Sequence, residues 1–189
     1  SPGVSFEERF HTNGKRLYSA RIIPYRGAWV EFEFDINDCI YVYLDRRKKF
    51  LATTFLRAIG FSEDADMIKA FCDVEEISLP NSAKSFKYEN LIAAETVKGS
   101  TGENVITAGQ PLTMEAVSSL IETKVSTLKV TRQPIAEITK TLERDPTKNR
   151  DEALIDIYKK LRPGDPPTAD SAKTLLERLV FDNKRYDLG

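Results

Sequence analysis

Residues 28–35, AWVEFEFD, alternate apolar and acidic side chains with a period of two. Successive side chains of a strand point to opposite faces, so this pattern dictates a strand with one face buried. Val30, Phe32 and Phe34 form the apolar row, while Trp29, Glu31, Glu33 and Asp35 share the other face. The only tryptophan of the chain is thereby grouped with carboxylates. Residues 15–23 and 39–44 have strand composition on either side, joined through PYRG and DIND, both good turn chemistry. Together they predict an antiparallel β-meander.

Helical signals follow. Phe50, Thr54 and Ala58, and Leu51, Phe55 and Ile59, recur every four residues over 50–61, which predicts a buried helix stopped by Gly60. Residues 62–71 predict a second helix with Ser62 as its N-cap. Between about 75 and 132 aromatic residues thin out to Phe86 and Tyr88, and Ser, Thr and Gly become frequent. That stretch predicts a hairpin around Ser100-Thr101-Gly102, a helix from Thr113 to Ile121 and a strand from Thr127 to Val130. Helices over 145–162 and 168–181 complete the chain, the second capped by Thr168 or Asp170. The fold class expected is α+β: a β-meander packed with helices, interrupted by a small α+β insertion. The division expected is 1–74 with 136–189 for the main body and 75–135 for the insertion.

With 189 residues, 41% of them hydrophobic, one substantial core or two small ones can form. The formal net charge of −1 supplies no global pull toward nucleic acid or membrane, so electrostatic binding must come from a local cluster. No apolar run approaches the ~20 residues of a membrane span. Cys39 and Cys72 are isolated and the chain has a single histidine, which argues against a zinc site and for two packed thiols in a reducing, cytoplasmic setting. Glu31 and Glu33 have a spacing that could suit acid–base work, but no nucleophile accompanies them, and they read as a solvated strand face. The notable cluster is Arg46 to Lys49, four consecutive cations directly after the meander that carries Trp29. Such a run is most often a solvated charged face, and a tryptophan at this parity can also pack under a neighbouring segment; cations beside an exposed aromatic are the usual means of holding single-stranded nucleic acid. Arg162 and Arg185 are further basic candidates, each at a helix end where an arginine also complements the dipole.

Several long blocks are similar to one family. SPGV (1–4), LYSARIIPYRGAWVEFEFD (17–35), LDRRKKF (44–50), ATTFLRAIGF (52–61), DPTKNRDEAL (145–154), YKKLRPGDPPT (158–168) and KRYDLG (184–189) closely resemble the β subunit of bacterial RNA polymerase in its β2 lobe. Residues 75–135 resemble, more loosely, a lineage-specific insertion of that lobe. The resemblance implies a segment of a longer polypeptide that lines the downstream-DNA channel. It implies that Trp29 stacks on a non-template base and that Asp45, Arg46, Arg47 and Lys49 face downstream DNA. By the same resemblance Arg162 and Arg185 lie along the non-template strand. Lys48 stands where the family often has a third arginine, which replaces a bidentate donor by a point charge. The catalytic magnesium of the family is held by another subunit, so neither cofactor nor polymerase activity is expected of this segment alone. Its implied partners are the other polymerase subunits, sigma factor, downstream and non-template DNA, and regulatory factors at the insertion.

Overall fold

A computed structural model of the chain describes residues 1–87 and 89–181. Five strands come first: β1 (Gly3–Phe10), β2 (Arg16–Ile23), β3 (Val30–Phe34), β4 (Ile40–Leu44) and β5 (Lys48–Leu51). Then come helices α1 (Ala52–Ile59) and α2 (Asp64–Phe71), strand β6 (Glu75–Ser78), a 3-10 turn (Ala83–Ser85), and strands β7 (Ile92–Ala93), β8 (Val97–Lys98) and β9 (Asn104–Ile106). The last elements among the described residues are α3 (Met114–Glu122), β10 (Thr127–Thr131), α4 (Ala136–Arg144), α5 (Arg150–Leu161) and α6 (Ala169–Val180). The class is α+β, as the periodicity predicts.

Two compact units divide these elements: Ser1–Ser62 with the described residues from Arg144 onward, and Glu63–Glu143. In the first, β1 to β5 form an antiparallel sheet in sequential order. Its apolar face, with Val30, Val42, Leu44 and Phe50, packs against Phe55 of α1, Leu154 and Ile157 of α5, and Leu176 and Val180 of α6. The rings of Phe32 and Phe55 meet edge-on at 6.3 Å. Each fully buried side chain of this size contributes about 1.5–3 kcal/mol. The second unit has its own core, in which Leu120 and Val117 of α3 pack with Leu128 and Val130 of β10. Its larger sheet runs β6-β10-β7, and β8 pairs with β9 across the predicted hairpin.

The structure corrects four local expectations. Phe50 and Leu51 belong to β5, not to the following helix, because Phe50 completes the cross-strand row opposite Val42. The edge strand β1 has all eight residues exposed, so no buried periodicity announced it. Helix α2 is capped by Glu63 in a reciprocal capping box with Asp66, while the Ser62 hydroxyl instead accepts the Arg150 N–H at 3.1 Å. Helix α5 begins at Arg150 behind the Asn149 cap. Asp145 precedes it as a buried acceptor for the Thr147 N–H and hydroxyl. Of the two caps considered for α6, Thr168 is the one used. Cys39 and Cys72 are buried free thiols, as expected.

Candidate nucleic-acid interface

Trp29 immediately precedes β3 and is locked there by Asp45. The Trp29 N–H donates to Asp45 Oδ1 at 2.7 Å, and the Asp45 N–H donates to the Trp29 carbonyl at 2.9 Å. Gly27, with φ of 123°, permits the bend that brings the chain into this position. Asp45 heads the connection between β4 and β5, where the Arg47 N–H closes a turn onto the Leu44 carbonyl at 3.1 Å. Both central residues, Asp45 and Arg46, have positive φ, 51° and 56°. That sign pattern belongs to the tight hairpin turns whose twist matches the flanking strands, and Asn-Gly is the sequence they favour. An arginine in that conformation costs on the order of 1 kcal/mol. The turn tips the Arg46 side chain back over β3.

The antiparallel register sets Glu31 of β3 between Arg21 of β2 and Tyr43 of β4, with Lys49 of β5 beyond. Glu31 is not on a solvated face: it is 6% exposed. Its Oε1 accepts from Nε of Arg46 at 2.8 Å and from Nε of Arg21 at 3.0 Å. Both guanidinium groups then lie by the Trp29 ring, Arg46 at 5.2 Å and Arg21 at 5.8 Å from its centroid. Desolvation pushes the Glu31 carboxyl up, but hydrogen bonds and charge from Arg46 and Arg21 outweigh it and hold the group below the ordinary carboxylate value. The same hydrogen bond holds Arg46 more firmly protonated than usual.

The result is an indole, 36% exposed, flanked by two cations that a single buried carboxylate fixes. Arg21 is neutralised further by Glu7 at 3.5 Å. Arg46 makes its one ion pair through Nε, and Arg47 has none among the described residues. Chemically this offers a flat stacking surface with guanidinium donors beside it, and no nucleophile. The Lys49 ammonium sits over the Tyr41 ring at 3.8 Å and near that of Tyr43 at 6.0 Å, extending the aromatic and cationic face along the sheet.

The structure thus brings together Trp29, Asp45 and Arg46, with Arg47 following in the same turn, while Lys49 lies across β4 with its ammonium over Tyr41. Arg162 lies apart from this group, at the C-cap of α5, lining a groove of about 470 Å³ with Tyr158 and Arg178. Arg185 lies outside the described residues. Sequence reasoning missed Arg21 and misassigned Glu31. Parity placed Glu31 on the correct face, but only the strand register shows that two arginines close over it. Among the described residues no group of three His, Cys, Asp or Glu side chains is placed to hold a metal ion. None of their helices is long and apolar enough to cross a membrane.

Comparison with known proteins defines the class first. Residues 1–133 match the model of RNA polymerase Rpb2, domain 2. The full chain is similar to proteins named DNA-directed RNA polymerase subunit beta. It is 44% identical to that of Methylacidiphilum infernorum over 206 aligned positions, 44% to that of Chlamydia abortus over 196, and 41% to that of Chlorobaculum tepidum over 200. The chain belongs to the RNA polymerase Rpb2 domain 2 family. All of it is covered in these alignments, yet it spans only 15–16% of the length of those relatives.

Proposed function

We propose that this chain acts as part of an RNA polymerase β subunit, along the downstream-DNA channel, where it holds the non-template strand of the transcription bubble. Residues 1–74 and 136–189 are the lobe and 75–135 its insertion. Trp29 supplies the stacking surface for an unstacked base. Arg46, Arg47 and Lys49 face phosphates, Asp45 sets the turn that presents them, and Arg162 and Arg185 continue the strand path. The segment carries no catalytic group and no cofactor of its own. Synthesis belongs to the assembled polymerase, whose other subunits, sigma factor and magnesium site lie outside it. The observation that carries this reading is the exposed Trp29 ring flanked by Arg46 and Arg21. Base–aromatic stacking is worth about 1–3 kcal/mol, so Trp29→Ala in the intact polymerase is expected to shorten open-complex lifetime by about 5- to 150-fold with bulk elongation near normal. Unchanged lifetimes across several promoters would remove the stacking role.

A second reading concerns the insertion 75–135, where Met114 and Ile135 are each more than a third accessible. Such residues suit docking of a regulatory protein. Deleting 75–135 from the intact polymerase separates the readings: docking predicts normal basal transcription with a lost factor response.

A further inference from the structure

We infer that Glu31 is a positioning residue of the Trp29 site: its buried carboxylate holds Arg46 and Arg21 against the indole and so fixes which part of the ring is open to a ligand. The inference rests on the nucleic-acid reading only for what the ring meets, not for how the ring is held.

The geometry is specific. One oxygen, Oε1, accepts both Nε–H groups. An arginine bound through Nε has its direction set at the root of the guanidinium, as Arg46 has at 2.8 Å from Oε1. Glu31 is nearly enclosed by the protein, with 6% exposure. A carboxylate so enclosed is costly unless compensated, and the two arginines compensate it. Trp29 itself is fixed at its main chain by Asp45, so the remaining freedom is that of the ring and the cations beside it. The cations come from two different elements, β2 and the β4–β5 turn, and Glu31 is the group they share. Glu7 and Glu33 also face them, Glu7 from β1 at 3.5 Å from Arg21 and Glu33 two residues along β3. Neither carboxylate hydrogen-bonds Arg46 among the described residues, so Glu31 alone joins the two arginines.

The test uses the fact that Trp29 is the only tryptophan of these 189 residues, so its fluorescence in the 189-residue chain reports this site alone. Acrylamide, a neutral quencher, reads ring accessibility without responding to charge. Glu31→Gln preserves shape and removes the ion pairs. It is expected to raise the acrylamide quenching constant about twofold, as the ring loses cation contacts of the exposed kind. Arg46→Lys, which cannot bridge through Nε, leaves Glu31 in place and is expected to raise quenching in the same direction even if the Gln variant folds poorly. Combining the two should add little to either alone. Quenching unchanged in both single variants overturns the inference. Permanganate reactivity of a non-template thymine in intact polymerase carrying Glu31→Gln provides the second arm. A rise of several-fold supports positioning for a base. Quenching raised with thymine reactivity unchanged keeps Glu31 as the anchor of the ring and overturns the base contact, so the two claims fail separately.

Discussion

Trp29 and Asp45 clasp each other twice, the tryptophan N–H on the Asp45 carboxylate at 2.7 Å and the Asp45 N–H on the tryptophan carbonyl at 2.9 Å. The first of these bonds depends on the Asp45 side chain and the second does not. Asp45→Ala should therefore lower stability by about 1 kcal/mol, read as a drop in the urea midpoint. Asp45→Asn retains an acceptor oxygen and should lose less. Equal losses from both variants would mean that the side-chain bond contributes nothing.

Acid should weaken the site through Glu31. Its carboxyl is held below the ordinary value of 4.5 in the folded chain, so the unfolded state binds the proton more readily. The stabilisation is then fully present above about pH 4.5 and fades as pH falls toward the depressed folded value. The difference in urea midpoint between the wild-type chain and Glu31→Gln should be largest near neutrality and shrink on acidification below 4.5. Parallel profiles down to pH 3 would contradict the pairing.

Arg57 and Asp145 form the deepest ion pair of the first unit, with side chains 1% and 0% exposed and Nε to Oδ2 at 3.4 Å. Thr53 donates its hydroxyl to the same oxygen at 2.7 Å, and an Arg57 amino group donates to the Ser62 carbonyl at 2.8 Å. Removing Asp145 takes a buried acceptor from both Arg57 and Thr53. Asp145→Ala should cost about 3–5 kcal/mol, measured by urea unfolding. A loss below 1 kcal/mol would show that water reaches the arginine.

In the assembled polymerase Arg46 and Arg47 should differ. Arg46 already has a carboxylate partner, whereas Arg47 has no ion pair among the described residues. Arg47→Ala should make the salt dependence of open-complex stability shallower, by about 0.7–0.9 in the log–log slope for one lost phosphate contact. Arg46→Ala should change that slope less. Identical slopes for the wild type and Arg47→Ala would take Arg47 off the DNA path.

Much of this was legible in the chain. A period of two gave β3, strand composition and turn residues gave β2 and β4, and Thr113 and Thr168 announced their helices through side-chain caps. Strand β1 was not legible, since an edge strand with no buried face carries no periodic signal. Strand β5 was hidden because Phe50 and Leu51 satisfy a helical spacing as well as a strand one. For the site, parity isolated Trp29 and the cation run marked Arg46. The role of Glu31 depends on a register that joins residues ten and fifteen positions away, and local pattern holds no record of that.

The turn at Asp45-Arg46 bears on any effort to make this protein hardier. A designer seeking thermal tolerance would install Asn-Gly there, since that pair suits two consecutive positive φ angles. The hairpin would gain stability, and the Arg46 guanidinium beside Trp29 would vanish with it. Gains in melting temperature at this corner are thus a poor proxy for fitness, and a library sorted on heat resistance alone would discard the site it meant to preserve.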